Sequence, residues 1–114
     1  MLKMLRELRH ANVARAREWP GNDQIDVAFR AIEVAGEAGE VAEAVKKHLR
    51  DVRGIAGSVG GIPAIADELA DLVIAADLLA NDLGIELDGA VASKFNRTSE
   101  KYGLSTRISE KSDA

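Results

Sequence analysis

The sequence predicts an all-α protein, a four-helix bundle that oligomerises. Three observations carry that expectation. Apolar residues recur at helical spacing in four segments separated by glycine- or proline-containing breaks, and no stretch alternates as a strand does. The apolar fraction is 46% but the aromatic fraction only 4%, so the core is expected to consist mainly of Ala, Val, Ile and Leu in closely packed helices. At 114 residues the chain has room for one domain and buries a modest share of its surface alone, which makes self-association the expected way to cover the rest.

The first helix is predicted from Leu2 to about Glu18, with Leu2, Leu5, Leu8 and Ala11 forming its stripe. Trp19-Pro20-Gly21-Asn22 ends it, because proline disfavours helix at the residue before it and glycine interrupts. Asn22 or Asp23 is then the expected cap of a second helix running to about Val52. Residues 53–61, RGIAGSVGG, read as a mobile glycine-rich loop that can close over a substrate. Pro63 suits the first turn of a third helix, which ends at Leu83 with Gly84 beyond it. A fourth helix spans about Leu87 to Tyr102 and is closed by Gly103. One domain over residues 1–104 and a polar, frayed tail over 105–114 complete the expected organisation.

A formal net charge of -4 lacks the basic footprint of a duplex nucleic-acid binder. Without cysteine, disulfides and thiolate metal sites are excluded. The absence of cysteine is compatible with a reducing cytoplasm, the expected location. No apolar run long enough to cross a membrane occurs, and the charged N-terminal stretch does not read as a signal peptide.

The acidic residues have a pattern. On a wheel at about 100° per residue with Glu37 at zero, Val27, Val34, Ala38, Val41, Val45 and Leu49 occupy an arc of roughly 40° to 120°. Glu40 lies about 60° to the other side. On the third helix, with Glu68 at zero, Ile65, Leu69, Leu72, Val73, Ala76, Leu79 and Leu83 fill nearly the same arc, and Asp71 takes the place of Glu40. Two helices thus carry an acidic i, i+3 pair along one edge of an apolar seam. Antiparallel packing of the seams brings four carboxylates to one patch, where a divalent ion relieves their repulsion. An all-oxygen set suits Mg²⁺ or Mn²⁺ and, through them, substrate phosphates. The plainer reading of any one such pair is a solvated face. Asp77, Glu43 and Asp67 turn away from the pairs and read as surface. Gly36 and Gly39, two glycines within one helical turn, call for the close approach of a helix or a ligand.

The words AGEAGEVAEAVKK and DELADLV resemble the signature of the MazG-like all-α nucleoside triphosphate pyrophosphohydrolases, an ExxE on one helix and an ExxD on the next. The resemblance runs from about residue 8 to 104. It implies Mg²⁺ held by Glu37, Glu40, Glu68 and Asp71, hydrolysis of NTP or dNTP to NMP and pyrophosphate, and a homodimer or homotetramer. Many members carry a further Glu where this chain has Gly36. The glycine form is similar to the branch containing dCTP pyrophosphatases, and Glu33, one turn earlier, is left as candidate base or supporting ligand. His10 and Trp19 keep the spacing of that branch's base-contacting histidine and tryptophan. Trp19 offers a stacking face for a nucleobase, or else a hydrophobic plug at a helix end. Lys94, Arg97 and Lys101 form a basic edge beside Val91, Phe95 and Tyr102 on the fourth helix. The resemblance assigns triphosphate contacts to Lys94 and Tyr102, with Asn96, Arg97 and Lys101 as weaker carry-overs.

Two rival readings belong to other classes. One is a non-catalytic helical module whose acidic edge pairs with a basic partner. The other is a cation or nucleotide sensor that binds without turnover.

Overall fold

Each break anticipated in the sequence becomes a helix end in the computed structural model, which describes residues 2–110, with side chains from Leu5 onward. The elements are α1 (Leu2–Glu18), a short 3-10 turn (Asn22–Gln24), α2 (Val27–Arg53), α3 (Ile62–Asp82) and α4 (Leu87–Lys101). No strand occurs among the described residues, so the chain is all-α. The side chain of Leu2 and the last four tail residues, 111–114, lie outside the described set. No helix among the described residues is long and apolar enough to cross a membrane.

The start of α2 differs from expectation. Its cap is Asp26, whose Oδ1 accepts a hydrogen bond from the Phe29 amide at 2.9 Å. Asn22 and Asp23 instead form the 3-10 turn, so the helix begins at Val27. Asp26 wins because its extended backbone carries its carboxylate to an amide that the first helical turn leaves unpaired. Gly84 and Gly103 close α3 and α4 as expected. Both adopt left-handed backbone (φ 68° and 67°), and the following amides return to Ala80 O and Ser99 O at 2.8 Å.

α2 and α3 form an antiparallel hairpin, the most extensive packing in the chain. Arg30, near the start of α2, reaches Asp82 at the end of α3 (Nε–Oδ2 3.6 Å). α1 packs on α3, and α4 packs on α1 without extensive contact to α2 or α3. α3 is therefore covered from two sides, which corrects the reading of Asp77 as surface: it is fully buried. Its carboxylate accepts from Arg9 Nε (3.1 and 3.2 Å) and from Asn12 Nδ2 (3.0 Å), pinning α1 to α3. The wheel placed Asp77 opposite Glu68 correctly, but α1 occupies that side.

The apolar seam is only half used. The buried line on α2 passes through Arg30 and Ala44, and on α3 through Ala75 and Ala80. Along both arcs Val27, Val45, Leu69 and Val73 stay exposed. On α4 the buried face is Asp88, Ala92 and Ser99, whereas Val91, Phe95 and Tyr102 face outward. The fully buried apolar residues described are all alanines. The molecule is correspondingly spread: its radius of gyration is 17.2 Å, against about 13 Å for a compact domain of this length. Its accessible surface is 8095 Å², against roughly 6,000 Å² for a folded monomer of this mass.

Two further expectations change. The tail is not frayed as far as Ile108, because Asn96 Nδ2 donates to Ile108 O and Ile108 N donates to Asn96 Oδ1, both at 2.8 Å. The glycine-rich loop is tied to α2 where Arg50 Nη1 donates to Ser58 O (3.4 Å). It leaves α2 after Arg53, so at 1.5 Å rise per residue it begins roughly 20 Å along the axis from Glu40. Its far end folds back along α2, where Gly60 lies beside Lys47, and it joins α3 about 9 Å along the axis from Glu68.

Candidate active site

The i, i+3 spacing on α2 and α3 and their antiparallel contact bring the acids together. One carboxylate oxygen each from Glu37, Glu40 and Glu68 lies within 4.8 Å of the others. Asp71, one turn beyond Glu68, stands beside this trio and acts on it through its charge. Three of the four expected ligands thus lie within mutual reach and the fourth borders them. The apolar arc does not separate them from the helix contact. Glu37 and Glu68 sit on the interhelical line itself, each half-buried.

Their protonation reflects that crowding. Burial raises the Glu37 carboxyl above its ordinary value, and repulsion from Glu40, Asp71 and Glu33 raises it further. Glu68 is also raised, first by its hydrogen bond with Glu40, then by burial and by repulsion from Glu40, Asp71 and Glu37. One oxygen on each, Glu37 Oε2 and Glu68 Oε2, is buried with no hydrogen-bond partner. Buried acceptors without donors are rare in folded proteins, and a cation satisfies them. Oxygens bound to one Mg²⁺ at about 2.1 Å stand at most about 4.2 Å apart, so small side-chain rotations close this trio around an ion. The residues fit a hard divalent cation: all donors are oxygens, and no nitrogen or sulfur ligand is in the cluster.

A cavity of about 420 Å³ opens beside the acids. Glu33, Glu37 and Asp71 line one part of it, and Trp19, Ile25 and Phe29 supply apolar surface. Its size is in the range of small-ligand sites. Trp19 is more than half exposed, so it is a wall of the cavity and does not plug a helix end. Glu33 accepts from Arg30 Nη1 at 2.9 Å, which holds its carboxylate in place.

The other predicted contacts lie elsewhere. His10 and Trp19 line different cavities. His10 faces a second cavity of about 200 Å³ with Arg6, Arg9 and Asp88, and within one chain it does not join Trp19. Asn96 holds Ile108 through both ends of its amide, which leaves one Nδ2 hydrogen uncommitted. Arg97 Nη1 donates to Ser93 Oγ on its own helix. Lys94, Arg97 and Tyr102 are exposed on α4, away from the cavity lining. Tyr102 lies under the Lys101 ammonium, 5.5 Å from ring centroid to Nζ.

Two lining residues escaped sequence reasoning. Arg30 is 6% exposed, and a cation about 20° from the Glu37 direction on the buried side of α2 was a readable signal. Asn12 stands seven residues after Leu5 and four after Leu8, and a polar side chain continuing that apolar stripe of α1 was a readable signal. Gly36 and Gly39 have no atom within 4 Å of where a Cβ would stand. No helix of the same chain explains them, and the expected close approach is not made within this chain.

No curated protein and no solved structure shows a significant match to this sequence. Residues 30–103, most of the chain and all four residues of the acidic pairs, match the MazG nucleotide pyrophosphohydrolase domain. The paired carboxylates on two antiparallel helices and the all-α architecture agree with that match, and the chain belongs to the MazG nucleotide pyrophosphohydrolase family.

Proposed function

We propose that this protein hydrolyses nucleoside or deoxynucleoside triphosphates between the α- and β-phosphates, giving the monophosphate and pyrophosphate, in a Mg²⁺-dependent reaction. One observation carries the reading: the acidic cluster borders the cavity that Trp19 walls, which puts an ion site and a stacking surface on one cavity.

Glu37, Glu40, Glu68 and Asp71 hold the ion in this proposal. When bound, Mg²⁺ supplies charge neutralisation of the phosphates and polarisation at the α-phosphorus. Glu33, fixed by Arg30, orients the attacking water and accepts its proton. Trp19 and Phe29 give the base a stacking surface. In-line attack at the α-phosphorus breaks its bond to the bridging oxygen, and pyrophosphate leaves carrying negative charge. Charge of that kind is stabilised by cations placed beforehand. Lys94, with Arg97 and Tyr102, is the proposed source, supplied by a second copy of the chain, a reading supported by their exposure away from the cavity of their own chain. A homo-oligomer is thus part of the proposal, supported by the uncovered apolar edges of α2, α3 and α4.

The test is pyrophosphate release from each canonical NTP and dNTP with and without Mg²⁺. Turnover of at least one nucleotide, abolished by chelation, is expected. Nucleotide binding without release of pyrophosphate would instead identify a sensor, and absence of both binding and turnover would leave a helical interaction module.

A further inference from the structure

Asn12 is the most buried side chain lining the larger cavity, 2% exposed. A primary amide presents a donor end and an acceptor end, and which end faces a ligand depends on what holds the other. Here the choice is forced. Nδ2 donates to Asp77 Oδ2 at 3.0 Å and to Ile74 O at 3.3 Å. Both partners accept only, since the Asp77 carboxylate is itself gripped by Arg9. Turning the amide over would put Oδ1 against two acceptors at hydrogen-bond distance, in a buried setting where that repulsion is strong. Both Nδ2 hydrogens are therefore committed, and no group among the described residues donates to Oδ1.

We infer that Asn12 is a base-reading residue: its Oδ1 accepts a hydrogen bond from an N–H on the pairing edge of the nucleobase. Asp77 is the positioning residue that keeps the amide in this sense. The inference rests on the nucleotide reading of the cavity. Asn12 and Trp19 both line the cavity, Asn12 from the buried side of α1 and Trp19 from the bend that follows the helix. A base stacked on the tryptophan lies flat against one wall and turns its edge to another. A buried acceptor at that edge accepts a ring N–H or an exocyclic amine and rejects a base from which the donor has been deleted. The asymmetry arises because an acceptor covered by a bound base but left unpaired loses its water without replacement.

The experiment pairs the natural nucleotide turned over best with an analogue lacking its pairing-edge N–H: 2-pyrimidinone for cytosine, purine for adenine, or the N-methylated ring for thymine or guanine. Two readouts are taken for each, kcat/KM for pyrophosphate release and calorimetric affinity of the α,β-imido triphosphate with Mg²⁺. The wild-type protein should disfavour the analogue by about tenfold in both. In Asn12→Leu the natural nucleotide should fall to the level of the analogue, so that the difference disappears. Asp77→Asn offers Asn12 a partner that can also donate, frees the amide to turn, and should narrow the difference while circular dichroism still reports helix. Should Asn12→Leu not fold, Asn12→Ala makes the same comparison. Indifference of the wild-type protein to loss of the N–H, or a difference that survives in the Asn12 variant, would overturn the assignment while leaving the proposed reaction standing. Absence of any Mg²⁺-dependent nucleotide binding or turnover would overturn the reaction, and this inference with it.

Discussion

Glu37 and Glu68 hold their protons more tightly than ordinary carboxyls, and that has a consequence for stability with a definite sign. In the folded state both values lie above the ordinary 4.5 of the unfolded chain, so as the pH rises past that value the folded protein retains more protons than the unfolded chain does. The contribution of these groups to stability is greatest below it and falls as pH climbs through the raised folded values. The metal-free protein should therefore lose part of its thermal stability over that window. Mg²⁺ should flatten the dependence, because it replaces the protons. A Glu37→Gln/Glu68→Gln variant should show the smaller slope even without metal, and an unchanged slope in scanning calorimetry would contradict the assignment. Glu68→Gln alone should weaken Mg²⁺ binding by at least the roughly tenfold typical of losing a partner one shell further out. Glu33→Gln should lower kcat and leave ion affinity nearly unchanged, since Glu33 is placed at the water and not on the ion.

At the scale of elements, α2 carries the site and its start depends on one side chain. Replacing Asp26 by Ala removes the hydrogen bond from the Phe29 amide and should cost about 1 kcal/mol, read as a lower melting temperature. The helices themselves were legible in the sequence because their signals are local: periodic Leu, Val and Ala, Pro63 in a first turn, and Gly84 and Gly103 just past the ends. The acidic pairs were legible for the same reason, since i, i+3 spacing puts two side chains on one face whatever surrounds it. The fate of Asp77 was not legible. Its position on the wheel was right, but only the packing of α1 against α3 turns that position from surface into a buried ion pair. Asn22 and Asp23 failed as caps for a related reason: three good capping residues lie within five positions, and the backbone path after Gly21 selects the last.

For the whole molecule, one chain leaves Val91, Phe95 and Tyr102 of α4, and Leu69 and Val73 of α3, without cover. Its surface exceeds that of a compact monomer by about 2,000 Å², an area comparable to a stable protein–protein interface. The protein should sediment as a homo-oligomer. Phe95→Glu, which places a charge in that apolar face, should shift it toward monomer and reduce turnover while Mg²⁺ binding to the α2–α3 hairpin persists. Sedimentation of wild-type protein as a monomer at micromolar concentration would remove the case for a shared site.

The amino-acid order by itself determined the four helices, their ends to within a few residues, and the four carboxylates that share one edge, because each depends on neighbours three or four positions away. Tertiary structure decided which faces those helices spend on one another. It buried Asp77 and Asn12, separated His10 from Trp19, tied Asn96 to the tail and opened the cavity beside the acids. A helix carries several usable faces, and only the contacts made across the fold choose among them.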